Sequence, residues 1–341
     1  MEPEVQSVHE RAVIVDCRDP SFLVYRQTGE EKPAYWDMVV KGGLTAIMVD
    51  VPWTDDGYRD ASLNFAMWHD RIEAQPRAIL VRTVDDVARA KADGKVGFIL
   101  TSQTPTIIED DLRLLRALYE QGLRVMQMTY QKRNLLADGC GERTDGGLSN
   151  FGIQAIAEMN RLGIAIDLSH ASDRTMRETI AQSAKPVFFS HSNARGRVDN
   201  PRNVPDDLLT ELVSRGGICG VSAYSAFLKE GGGSTGTDLQ DYVAMIDYMA
   251  DLIGIDNLCM GFDVGEYRTP QEVAIIGSGA AKVPHGPSTR YVKELMTRSN
   301  LPFLTEALLG RGYDEAGVHK FLGGNVVRFL GSVWAPSAEP S

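Results

Sequence analysis

Cysteine and histidine are both scarce in this 341-residue chain, with four of the first and six of the second. The cysteines, Cys17, Cys140, Cys219 and Cys259, stand far apart, and none belongs to a CxxC pair. That spacing excludes zinc-finger and thioredoxin-like motifs and leaves reduced thiols as the expectation. Also missing is any apolar stretch near the ~18 residues that a membrane-spanning helix needs. The opening MEPEVQSVHERAV has no basic patch followed by an apolar core, so no signal peptide is read there. Positive charge is in deficit, the formal net charge being −11. Such a balance argues against non-specific nucleic-acid binding and against an anionic membrane surface. The expectation is a soluble, cytoplasmic protein with a small molecule as partner, and with neither nucleic acid nor membrane.

What is present is an ordinary globular composition, 43% apolar and 24% charged, enough for a core without disulfides. Eight short apolar runs punctuate it: Ala12–Asp16, Leu44–Val51, Val96–Leu100, Leu123–Met128, Ile164–Leu168, Val187–Phe189, Gly217–Ser222 and Leu258–Phe262. Continuous runs of this length are how parallel strands buried on both faces look in sequence. Most gaps between them carry helical spacing, as in Asp110–Gln121, Gly152–Arg161, Arg174–Ser183 and Asp206–Arg215. Leu239–Leu252 places Tyr242, Met245, Ile246 and Met249 on one stripe. Asp110, Ser172 and Asp206 are N-cap candidates. Strand and helix alternating eight times predict an α/β fold, a (β/α)8 TIM barrel. We read one domain over residues 1–341. Loop insertions at about 225–237 and 266–289 follow the last two strands and are lid candidates.

In such a barrel the residues after each strand converge on one mouth. Here they are Arg18 and Asp19, Asp50, Gln103, Tyr130, His170, His191, Ser222 with Tyr224, and Asp263. Ser169-His170 and Ser190-His191 end successive strands in matching Ser-His pairs. Imidazole with carboxylate is ligand chemistry for a divalent metal such as zinc, so His170 and His191 are candidate ligands. The alternative is a pair of ordinary hydrogen-bonded histidines. Arg202, in DNPRNVPDD, is either a carboxylate clamp or a surface residue. Asp16, Asp50 and Asp167 are open to a plainer reading, capping helices or satisfying loop amides, which is favoured for Asp167. Cys17 is read as a small buried hydrophobe ahead of a nucleophile.

The segments LTAIMVD, RVMQMTYQKRNLLADGCGE, GLSNFG, EMNRLGIAIDLSH, KPVFFSHSNAR, PRNVPDD and GGICGVSAY together resemble the renal (membrane) dipeptidase family of metallopeptidases. The resemblance runs in order from about residue 12 to 330. It implies a metal-dependent-hydrolase-like (β/α)8 barrel, a two-zinc site, dipeptide hydrolysis and a homodimer. His170 and His191 match two histidine ligands of one metal, and Arg202 matches the arginine that holds the substrate carboxylate. Elsewhere the chain departs from the pattern. Arg18 and Pro20 stand where the family has a ligating His and Asp, and Gln103 stands where it has a bridging Glu. Tyr130 replaces a substrate-facing His, and Gly265 replaces the second Asp after the last strand.

These departures imply one divalent metal, held weakly or not at all, instead of two. The expected function is hydrolysis of a dipeptide or another small carboxylate-bearing amide. Tyr130, Asp263 and Arg18 are the catalytic candidates, and Arg202, Tyr130, Gln103 and Tyr224 are the substrate-binding candidates. Two alternatives stay open. One is metal-independent lyase or isomerase chemistry on a small carboxylate, with Arg18 in the vacated metal position. The other is a non-catalytic ligand-binding relative.

Overall fold

The computed structural model describes residues 2–20, 34–265 and 290–334, so the loop expected at 266–289 lies outside the described residues. Its strands are β1 (Val15–Asp19), β2 (Ala46–Asp50), β3 (Ala78–Leu80), β4 (Val96–Ser102), β5 (Leu123–Gln127), β6 (Ala165–Asp167), β7 (Phe188–Ser192), β8 (Ile218–Val221) and β9 (Leu258–Met260). β1 pairs in parallel with both β2 and β9, β2 pairs with β4, and β4 to β9 pair in chain order. Eight parallel strands therefore close a barrel, with helices around it, as the eight apolar runs predict. β3 is an extra strand, which pairs with Val96–Phe98 of β4 below the point, Leu100, where β5 begins to pair. Three residues behind a proline give no readable run, so the sequence does not announce it.

Two hydrophobic clusters divide the interior. One lies largely between strands and helices, with Leu115, Leu118, Met245, Ile246 and Met249 on the helical side. The other takes at least one residue from every barrel strand: Val15, Met48, Ile99, Val125, Ala165, Phe188, Ile218 and Cys259. Val326, Phe329, Leu330 and Val333 of the helix Asn325–Trp334 join it at helical spacing, and Phe329 packs on Phe188 at 4.8 Å between ring centres. This second cluster fills the barrel, so chemistry is confined to the open end.

Where the structure differs from expectation, a partner explains why. β1 continues through Arg18 and Asp19, and β7 through Ser190, His191 and Ser192. Backbone pairing is indifferent to side-chain polarity once those side chains find partners at the mouth. Ser172 caps the helix Asp173–Gln182, accepting from Thr175 N at 3.2 Å. Asp206 does not cap; Pro205 holds that place, and the Asp206 carboxylate accepts from Gly196 N and Tyr248 Oη. Asp110 does not cap either, since that helix begins at Arg113 after Leu112. The stretch 225–237 forms two helical turns, Ser225–Leu228 and Gly232–Thr235, tied by a 2.7 Å bond between Ser225 Oγ and Thr237 Oγ1.

Two glycines let the backbone close tightly around the end of β7. Gly220 in β8 and Gly261 after β9 both lie against the carbonyl oxygen of Ser190, so close that a Cβ at either position would overlap it.

Candidate active site

β6 and β7 set the centre of the site. After β6 the chain turns through Leu168 and Ser169 to His170, whose φ of 70° is left-handed; Asp263 after β9 shares that conformation at 56°. Left-handed backbone at a non-glycine residue costs about 1–3 kcal/mol and persists only where surroundings enforce it. Of the three such residues among those described, two are at the mouth.

His170 and His191 face each other with their Nε2 atoms 3.0 Å apart. Burial, together with the positive charges of Arg202 and Arg18, holds both imidazoles well below the usual histidine range. They are neutral at physiological pH. Tyr130 stacks on His170 at 4.4 Å between ring centres. Burial and the carboxylate of Asp263 push its phenol up to about 12, so it stays protonated and able to donate.

Arg202 is buried, and it is not a surface residue. Its Nη1 donates to Ser192 Oγ and its Nη2 to the His191 carbonyl, each at 2.8 Å. Its Nε finds no hydrogen-bond partner among the described residues, and none of their acidic groups forms an ion pair with it. A buried guanidinium without an ion pair among the described residues is expensive to keep and marks a place where an anion is expected.

On the opposite side Arg18, also buried, forms an ion pair with Asp50, and Asp263 Oδ1 lies 3.9 Å from its Nε. Arg18 and Asp50 are almost without exposure, whereas the Asp263 side chain keeps 21%. Gln103 is buried, and its backbone carbonyl accepts from Gln127 Nε2. Tyr224 stacks on Phe227 at 4.5 Å and has the Arg290 guanidinium 5.8 Å from its ring centre. Burial raises its phenol above the usual tyrosine range, with Asp263 and Tyr130 among the groups it feels.

The geometry thus joins Tyr130, His170, His191 and Arg202 into one group and Arg18, Asp50 and Asp263 into another. The fields of both arginines reach both histidines. Tyr224 is tied to both groups through the fields of Tyr130 and Asp263, while Gln103 is anchored by Gln127. Cys17 is buried 3.8 Å from Cys259 Sγ, and burial pushes its thiol well up, so it is no nucleophile. Asp167 follows the plain reading, with Oδ1 accepting from Ser169 N and Ser190 N at 2.9 Å each.

Arg298 is a site-supporting residue that sequence reasoning misses altogether. It is buried, donates to Asp16 Oδ2 at 2.8 Å and to the carbonyls of Val264 and Arg18, and lies 3.5 Å from Asp19 Oδ1. No local motif around it announces this role.

Among the described residues, His170 and His191 are two donors placed to share one ion. A Nε2 separation of 3.0 Å suits neighbouring ligands of one ion at about 2.0–2.1 Å each. No cluster of three or more His, Cys, Asp or Glu suited to an ion occurs among the described residues. Arg18 adds a fixed positive charge to the same mouth.

Asp50 yields a pH prediction. Burial pushes its carboxyl up to about 7 against the pull of Arg18, compared with about 3.9 in an unfolded chain. The folded protein therefore holds this proton more tightly between about pH 4 and 7. The stability it contributes is complete below about pH 4 and is lost as pH rises through 7. Asp50→Asn, which has no proton to lose, should gain on the wild type across that window in urea titrations and then stop gaining. A gap that stays constant with pH would show Asp50 ionised throughout.

Residues 36–277 match the family model described as membrane dipeptidase, peptidase family M19. Dipeptidase 3 of Mus musculus is 31% identical over 266 residues, covering 76% of this chain and 48% of that protein. Dipeptidase verJ of Clonostachys rogersoniana is 29% identical over 256 residues, covering 74% and 60% respectively. The chain thus spans about half to three-fifths of the length of these curated relatives. A crystal structure of an amidohydrolase from Pseudomonas aeruginosa is 31% identical with a TM-score of 0.88, covering 97% of this chain and 99% of that one. No helix among the described residues is long and apolar enough to cross a membrane. By the family model, which matches most of its length, the chain belongs to the membrane dipeptidase family.

Proposed function

We propose that this protein hydrolyses a dipeptide, or a closely related small amide, whose free carboxylate is held by Arg202. The observation that carries this reading is the buried Arg202 guanidinium, without an ion-paired acid among the described residues, against the His170–His191 pair. A planar guanidinium with its Nε–H unused is suited to a carboxylate. His170 and His191 would hold one divalent ion, such as zinc, through Nε2. Such an ion supplies Lewis-acid polarisation of the amide carbonyl and a more acidic bound water.

The chain's own residues do the rest. Arg18, fixed by Asp50, offers a permanent positive charge to a developing oxyanion. Tyr130, protonated and stacked on His170, donates a hydrogen bond. Asp263, the most exposed carboxylate of the group, carries protons to and from the scissile amide. Gln103 and Tyr224 line the approach to the substrate.

Two measurements test this reading. A panel of dipeptides and their C-terminal amides should show turnover of the free acids and little of the amides. Equal rates on both would remove the Arg202 contact. Elemental analysis of purified protein should find at most one divalent ion per chain, and two tightly held zincs would overturn the reduced site.

A second reading draws on the Arg18–Asp50 pair, which supplies a fixed cation without any metal. Metal-independent lyase or isomerase chemistry on a small carboxylate would survive exhaustive chelation yet fail in Arg18→Ala. A homodimer and a cytoplasmic setting complete the proposal, supported by the family resemblance and the acidic composition. Light scattering reads the first and cell fractionation the second.

A further inference from the structure

Ser190 stands between a carboxylate and an imidazole. Its Oγ lies 2.5 Å from Asp167 Oδ2 and 2.7 Å from His191 Nδ1. A serine hydroxyl has one proton to give and two lone pairs with which to accept. The Asp167 carboxylate accepts only, and its Oδ1 is already taken by the backbone N–H groups of Ser169 and Ser190. The Ser190 proton must therefore go to Asp167 Oδ2. Toward His191 the same oxygen can only accept, so the proton between Ser190 and His191 belongs to Nδ1. A neutral imidazole protonated on Nδ1 has its lone pair on Nε2, the atom that faces His170.

The surroundings leave this chain of bonds no slack. Asp167, Ser169, Ser190 and His191 are all buried. Ser169 Oγ accepts from the His191 backbone N–H at 3.1 Å and lies 3.3 Å from Ser190 Oγ, so it braces the same turn. The Ser190 carbonyl is pressed between Gly220 and Gly261, which fixes the backbone carrying the hydroxyl. His170 is not wired in this way. Its Nδ1 is buried with no hydrogen-bond partner among the described residues. One histidine of the pair thus has its tautomer set by the protein, while the other is free to match whatever sits between them.

We propose that Ser190 is a positioning residue: aimed by Asp167, its hydroxyl locks His191 as the Nδ1–H tautomer and so presents the Nε2 lone pair to the space shared with His170. The effect is that of a carboxylate bonded to a ligating histidine, with a hydroxyl inserted between the two. The inference deepens the proposed function, because it explains how His191 Nε2 is kept available to a cation or a substrate proton.

Long-range proton–nitrogen correlation spectra of chelator-treated protein carrying [15N]histidine test it directly. His191 is assigned by the signal lost in His191→Gln. In the wild type the protonated nitrogen of His191 should be Nδ1. In Asp167→Asn the amide oxygen should keep the two backbone N–H groups, leaving its NH2 toward Ser190. The Ser190 proton then turns to His191 Nδ1, and the protonated nitrogen should switch to Nε2. A general loosening of the fold would not produce that exchange.

A wild-type spectrum with the proton on Nε2 overturns the proposal, as does an Asp167→Asn spectrum that keeps it on Nδ1. Should Asp167→Asn fail to fold, the wild-type spectrum decides alone. The spectrum reads the relay whether or not the protein turns over a dipeptide, so failure here and failure of the hydrolase reading are separate results.

Discussion

Arg202→Met is expected to lower kcat/KM for a dipeptide by about 100-fold or more, corresponding to about 2.7 kcal/mol of lost stabilisation. Breaking one side of a buried, hydrogen-bonded charge pair costs about 2–5 kcal/mol, so the effect lies within that range. The side chain's two other bonds, to Ser192 Oγ and the His191 carbonyl, orient the fork so that Nε–H remains for the ligand. Methionine keeps much of the volume and removes charge and donors together. C-terminal amides, which have no carboxylate to lose, should be nearly indifferent to the change. The ratio of kcat/KM for acid over amide is therefore the measurement, and it should collapse toward one. Equal proportional losses on both substrates would mean that Arg202 only braces β7. Arg202→Lys should recover little, because a single ammonium cannot keep both anchoring bonds and also reach a carboxylate.

Gly261→Ala should be the most destabilising methyl group that can be added near the site. A Cβ there would overlap the Ser190 carbonyl oxygen, a backbone atom that cannot swing aside. Overpacking in a dense core costs about 1–3 kcal/mol, and a rigid backbone obstacle places this case at or above the upper end. Urea unfolding should show a lower midpoint with an unchanged slope. Gly310→Ala is the control, since nothing lies within 4 Å of a Cβ at that position. In the last turn of the helix Leu301–Arg311 that change should be neutral or mildly stabilising. An equal response at Gly261 and Gly310 would show that the barrel wall can yield beside the Ser190 carbonyl.

Legibility in the sequence tracks the range of the interaction. Barrel strands are visible because a parallel strand buried on both faces is largely apolar, as in AIMV and VGFIL, while β1 and β7 show themselves only through the apolar residues before their polar ends. β3 escapes notice because three residues flanking an established pair need no pattern of their own. His170 and His191 are visible because two Ser-His pairs end consecutive strands, and the fold then brings their Nε2 atoms to 3.0 Å. Arg202 can be suspected from the resemblance, but its burial without an ion pair among the described residues is a property of its surroundings. Asp50 looks like a loop-amide acceptor in sequence, and only the proximity of Arg18 reveals it as half of an ion pair. Asp167 is legible as an amide acceptor, yet its second oxygen, which aims Ser190, emerges only from the barrel's register.

Arg298 has a consequence for how the molecule is made. Its guanidinium neutralises Asp16 and Asp19, two buried carboxylates of the first strand, from a position 282 residues further along the chain than Asp16. At about 5–20 residues per second, a ribosome needs roughly 15–60 s to cover that distance. Throughout that interval Asp16 and Asp19 are without this one of their final partners. The full set of contacts around β1 is therefore complete only once Arg298 has emerged. The first strand of the barrel is thus held in its final setting by a residue from the far end of the chain.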